Sequence, residues 1–197
     1  MNAVAAQAVA LLLRYPDAQA QAALPTIRAA LAELPRSLAK PLELLVAHRN
    51  GDPQSLAMEY VDLFDHHPRR CLYLTYYTAG DTRNRGAQLV EFAQAFREAG
   101  VEPGDGELPD FLPAVLELAA QAGEPGWALL RRYRIGLDLL AQALQREESP
   151  YRHGIAAILA MLPAATGQDL SAADALARTG PPREEVGLQP FAPGGRR

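Results

Sequence analysis

Asp65, His66, His67 and Cys71 stand close enough along the chain to suggest either a metal site or a thiol nucleophile served by a histidine base. Neighbouring histidines on a helix point about 100° apart, so His66 and His67 could share a metal only where the backbone is irregular. The plainer reading is a polar helix end running into Pro68, with Cys71 a small packing residue between Arg70 and Leu72. No signature joins the thiol to a base, and the remaining histidines, His48 and His153, lie far off in sequence. Phosphate chemistry would want a glycine-rich loop after a strand, whereas the glycines here stand singly at helix ends.

Binding chemistry is better represented. Glu59, Asp62 and Asp65 could hold a basic peptide, and Tyr73, Tyr76 and Tyr77, read as exposed, could anchor its apolar part. On composition alone the acids read equally as a solvated face and the tyrosines as core. Arg83 and Arg85 fall in the first turn of an expected helix, where cations oppose the helix dipole. That placement suggests a fixed salt bridge or a partner's acidic group, with solvated surface arginines as the alternative.

The elements that would position these side chains are all helical. The chain is rich in residues that lose little on entering a helix, its β-branched residues are scattered, and proline and glycine divide it into helix-length pieces. Seven or eight helices are expected. The first spans about 2 to 14 and ends at Tyr15-Pro16, the second about 25 to 34, and the third about 37 to 49 with Leu38, Leu42, Leu45 and Val46 as its stripe. A fourth, about 53 to 65, places Leu56, Tyr60, Leu63 and Phe64 on one face. The run 68 to 80 reads as helix or extended connection, with helix preferred. A long helix capped by Asp81 or Thr82 turns Leu89, Phe92, Ala93 and Phe96 inward and stops at Gly100. Residues 101 to 107 form a loop, Pro109 opens the next helix, and one helix over 126 to 147 carries Leu129, Tyr133, Leu137, Leu140 and Leu144. Pro150 opens another, bearing Ile155, Ile158, Leu159 and Leu162.

A single all-α domain over 1–165 follows, with a hinge near 101–111 and a flexible C-terminal extension over 166–197. The formal charge of −4 lacks the basic excess that nucleic acid demands, and the lone cysteine excludes an internal disulfide. The apolar run from Ala8 to Leu13 is far shorter than a membrane span, and the start has no positive leader region, so a cytoplasmic chain is expected.

The stretches Leu12 to Asp17, Tyr60 to Asp65, Gly80 to Gly86 and Glu107 to Pro113, in that order, resemble the NarJ-type assembly chaperones of respiratory nitrate reductase, within the TorD-like redox-enzyme maturation proteins. Leu12-Leu13-Arg14-Tyr15-Pro16-Asp17 resembles the family's opening helix end, and Tyr60-Val61-Asp62-Leu63-Phe64-Asp65 its Tyr-x-x-Leu-Phe-Asp element. Gly80-Asp81-Thr82-Arg83-Asn84-Arg85-Gly86 is similar to its glycine-acid-hydroxyl-arginine turn. Glu107-Leu108-Pro109-Asp110-Phe111-Leu112-Pro113 is similar to its Glu-Leu-Pro-Asp-His-Leu-Pro hinge. The order and spacing agree over about residues 10 to 160. Phe111 stands where the family usually has histidine, and Ala79 replaces a frequent histidine before Gly80, so roles that need those imidazoles are not carried over.

The resemblance implies a non-enzymatic chaperone that binds the apo catalytic subunit of nitrate reductase through its N-terminal segment. It would support molybdenum cofactor insertion and keep no cofactor or metal of its own. Alternatives are a TorD-like chaperone for a dimethyl sulfoxide, trimethylamine oxide or selenate reductase and, from another class, a helical metal-dependent enzyme on Asp65, His66 and His67. The expected binding face comprises Glu59, Tyr60, Asp62, Phe64, Asp65, Tyr73, Tyr76, Tyr77, Asp81, Arg83 and Arg85, with a hinge at Glu107, Pro109, Asp110 and Phe111. No nucleic acid and no membrane insertion are expected, and the chain should be a monomer or a domain-swapped dimer.

Overall fold

The computed structural model describes residues 2–104 and 106–182, and among them the only regular elements are helices. α1 (Asn2–Leu13) lies at the centre, against α2 (Ala18–Leu31), α3 (Arg36–Arg49), α7 (Leu112–Ala122) and α10 (Arg152–Met161). Its composition dictates that position: Ala5, Ala6, Val9, Ala10, Leu12 and Leu13 bury several faces of the helix at once, which only an interior helix can do. α4 (Pro53–Tyr60) starts where Asp52 accepts a hydrogen bond from the Ser55 N–H at 2.8 Å, with Pro53 in the first turn. α5 (Leu74–Ala79) and α6 (Arg83–Ala99) follow, α6 closing on Gly100 in the left-handed region at φ 66°. α8 (Glu124–Arg132), α9 (Arg134–Arg146) and α11 (Gly167–Thr179) complete the set, α11 lying along α9. None of these helices is long and apolar enough to cross a membrane.

The all-α class matches the sequence reading; several boundaries do not. Eleven α-helices, rather than seven or eight, occupy the described residues. The second begins at Ala18 instead of residue 25, because the Asp17 carboxylate accepts from the Ala20 N–H at 2.7 Å and caps it, and Pro25 is tolerated inside. The expected helix over 126 to 147 breaks at Tyr133, whose ring is pinned to Phe92 of α6 at 4.7 Å and whose hydroxyl donates to Glu91 at 3.1 Å. Its apolar stripe nonetheless survives the break, with Leu129, Tyr133, Leu137, Leu140 and Leu144 all buried.

The run 68 to 80 is neither one helix nor one connection. A 3-10 turn spans Pro68–Arg70, Cys71 and Tyr73 are extended about a bend at Leu72, and α5 follows. The extended piece exists because it pairs with a distant one: Tyr73 and Phe111 form an antiparallel bridge, with Leu112 N–H donating to Leu72 O at 2.7 Å and Leu74 N–H to Asp110 O at 3.0 Å. For the same reason Pro109 sits in a turn rather than opening a helix, and α7 starts at Leu112 with Pro113 in its first turn. On α6 only Phe92 and Phe96 are buried, Leu89 and Ala93 remaining half-exposed. The extension expected from residue 166 opens with α11; residues 183–197, expected to be flexible, lie outside the described residues.

Candidate functional site

The expected fourth helix ends in a π-helical turn, Val61–Asp65, closed by the His66 N–H donating to Val61 O at 3.2 Å. A π turn fits an extra residue into one winding, and such turns recur at functional sites. Here Leu63 and Phe64 are both buried while Asp65 is carried to the rim of a groove of about 500 Å3.

That groove runs between the end of α1, the start of α2, the π turn and the 72–73 segment, with Glu107, Phe111 and Glu117 completing its lining. Its aromatic floor is a cluster around Tyr60 and a separate Tyr73–Phe111 pair. Tyr60 packs on Phe64 at 4.9 Å and edge-on to Tyr15 at 5.5 Å, Phe64 meets Tyr151 at 5.1 Å, and Tyr73 meets Phe111 at 5.5 Å. Tyr60 donates its hydroxyl proton to Leu13 O at 3.0 Å, satisfying a carbonyl in the last turn of α1. Burial first, then the nearby Tyr151 and Asp65, pushes that hydroxyl far above its ordinary range, so Tyr60 is a neutral packing group. Beneath the cluster the buried Arg49 donates from Nη1 to Arg14 O and to the Tyr151 hydroxyl, both at 3.1 Å.

The charge lining the groove is lopsided: Asp17, Asp65, Glu107 and Glu117 face a single guanidinium, Arg14, which binds Glu117 at 2.9 Å. A concave surface with an aromatic floor and an acidic rim suits an apolar segment carrying lysine or arginine.

The expected binding residues divide between this groove and other places. Tyr60, Phe64, Asp65 and Tyr73 line the groove. Glu59 instead lies beside His48 at 3.0 Å, and Asp62 is solvent-exposed with His66 at 3.6 Å one turn away. Tyr77 is not the exposed anchor expected of it: it is buried, donating its hydroxyl to Cys71 O at 2.9 Å, because α5 packs flush against Gly136 of α9. Tyr76 is half-buried and, like the exposed Asp81, lines a second cleft beside the 3-10 turn. Arg83 is exposed at the start of α6. Sequence reasoning omitted Arg14, Tyr15, Asp17 and Glu117; the first three lie within the Leu12 to Asp17 motif, but Glu117 meets Arg14 from 103 residues away, which no local pattern reveals.

Two motifs converge behind the groove. Asp110, from the expected hinge, is fully buried and its Oδ2 accepts from the Thr75 hydroxyl at 2.5 Å and the Thr75 N–H at 3.2 Å. Arg85, from the glycine-acid turn, donates from Nε to the Thr75 hydroxyl at 3.2 Å, reaches Asp110 at 3.8 Å and Asp81 at 3.6 Å, and lies over the Tyr73 ring at 5.7 Å. The arginine that opposes the α6 dipole is therefore held by carboxylates. The connector's C-terminal end, at Asp110 and Phe111, is clamped to residues 72–75, leaving Glu107 and Pro109 before the clamp.

Among the described residues no three His, Cys, Asp or Glu side chains converge as a metal site, Asp65, His66 and His67 included. Burial raises the Cys71 thiol to about 11, against a weaker opposing effect of the Tyr73 backbone. At pH 8 its alkylation by iodoacetamide is therefore expected to be about a hundredfold slower than that of an unperturbed cysteine. The raised value also means that the folded chain holds this proton longer than the unfolded chain does. Stability should therefore fall as pH rises from about 9 toward 11, and denaturation midpoints across that range check the sign.

The family model described as the nitrate reductase delta subunit matches residues 16–157. A nitrate reductase-like protein NarX of Mycobacterium tuberculosis is 44% identical over 154 residues, 77% of this chain but 23% of that protein. This chain therefore spans about a quarter of that relative's length. The probable nitrate reductase molybdenum cofactor assembly chaperone NarJ of Bacillus subtilis is 32% identical over 158 residues, covering 79% of this chain and 86% of its own. The nitrate reductase molybdenum cofactor assembly chaperone NarJ of Escherichia coli K12 is 32% identical over 148 residues, 73% of this chain and 63% of its own.

Proposed function

The chain belongs to the nitrate reductase delta subunit family, and from that premise we propose that it is an assembly chaperone for the catalytic subunit of a respiratory nitrate reductase. It grips the apo subunit in the cytoplasm while the molybdenum cofactor is inserted, and it catalyses nothing itself. The observation that carries this reading is the acidic, aromatic-floored groove built where the Leu12 to Asp17, Tyr60 to Asp65 and Glu107 to Phe111 motifs meet.

Within it, the client's N-terminal segment lies as a short amphipathic helix, apolar side on Tyr60, Phe64 and Tyr73 and basic residues toward Asp65 and Glu107. In this reading Glu107 to Pro109 adjust beside the groove while the Asp110 clamp keeps the root of α7 in place. Such a device lets Glu107 close over a bound segment without disturbing the core.

Co-purification from cells with and without cofactor synthesis tests the function. The complex with the catalytic subunit should accumulate when the cofactor cannot be made and fade when it can. A catalytic subunit that is retained in neither strain rejects the proposal.

A further inference from the structure

The second cleft, about 830 Å3, lies between the 3-10 turn, the end of α9 and the chain leaving α11, and its lining sets three arginines, Arg69, Arg70 and Arg146, against two carboxylates, Asp81 and Glu147, a small basic excess where the groove has an acidic one. Arg70 is paired with Glu147, but no carboxylate among the described residues stands within ion-pair reach of Arg69 or Arg146, both exposed. One wall is the chain itself. Ala173 anchors α11 in the core, Gly180 follows beside the Arg69 guanidinium, and Pro182 rests on Gly80 so closely that a β-carbon there would fall 2.0 Å from the Pro182 carbonyl oxygen. The sequence continues Arg183-Glu184-Glu185, so two carboxylates follow two and three residues after Pro182, which lines a cleft holding two guanidinia with no carboxylate partner among the described residues.

We propose that Glu184 and Glu185 of the chain's own C-terminal segment dock in this cleft against Arg69 and Arg146. The two concave surfaces then sort their occupants by charge. The acidic groove repels this segment and takes a basic one; the basic cleft takes the acidic segment and is closed to a basic client. The arm lies beyond the residues that the family model matches, and its docking is independent of any client.

Hydrogen–deuterium exchange on the full-length chain, without a client, tests this directly. Reversing the tail charges with E184K and E185K should speed amide exchange over 176–180 by about threefold, the combined worth of two exposed ion pairs. R69E with R146E should do the same, and all four substitutions together should restore slow exchange. In 0.5 M NaCl the single reversals should converge on wild type. Exchange unchanged by either reversal at low salt, or the quadruple variant loosened additively instead of restored, would overturn the proposal.

Discussion

Asp110→Ala is expected to destabilise the protein by about 3 kcal/mol and to lower its melting temperature by roughly 6 to 12 °C. The carboxylate is fully buried and is the shared acceptor for the Thr75 hydroxyl and N–H, with Arg85 alongside at 3.8 Å. Removing it strands two buried donors and leaves a partly buried guanidinium with the exposed Asp81 as its remaining carboxylate neighbour. Asp110→Asn keeps an acceptor in place and should cost less than half as much. The same substitution loosens the Tyr73–Phe111 bridge, so the damage should reach the groove wall as well as the core. Thermal unfolding of the three proteins orders the effects; equal melting temperatures for wild type and Asp110→Ala would show that the clamp carries no energy.

Gly126→Ala should be nearly as harmful although alanine is the better helix former by about 1 kcal/mol. A β-carbon at residue 126 would lie 2.2 Å from the backbone nitrogen of Ala119 and 2.4 Å from its Cα, so α7 and α8 would have to separate. Backbone cannot be moved aside as a side-chain tip can, and overpacking of this kind costs about 3 kcal/mol. Gly86 of α6 provides the control: a β-carbon there meets nothing within 4 Å, and Gly86→Ala should be neutral or stabilising by up to about 1 kcal/mol. Of two identical substitutions in helices, Gly126→Ala should therefore lower the denaturation midpoint sharply while Gly86→Ala leaves it in place or raises it.

Both positions illustrate where sequence reading succeeds and where it stops. Apolar spacing located the helical stripes well enough that Leu129 to Leu144 remain buried even though the helix bearing them breaks at Tyr133. The break itself comes from a ring held by α6, a tertiary contact that leaves no trace in local periodicity. Asp110 falls in a hinge only through the resemblance of the Glu107 to Pro113 motif; the pairing with residues 72–75 makes it a buried anchor instead. Tyr60, Phe64, Asp65 and Tyr73, expected together on one face, do line one groove, and three of the four are aromatic, the type that can anchor a partner. Tyr76 and Tyr77 share that type but face elsewhere, because a six-residue helix next to an extended segment turns each side chain differently. The Arg14–Glu117 pair needed the fold before it could be seen at all.

Calorimetric titration of a synthetic peptide from the N-terminus of the catalytic subunit, against wild type and against D65K with E107K, tests the groove most directly. Both substituted side chains line the groove near its rim. The peptide should bind the double variant about tenfold more weakly at low ionic strength, with the gap narrowing in 0.5 M NaCl as the charges are screened. Equal affinity for the two proteins, with the same dependence on salt, would contradict a client held in this groove.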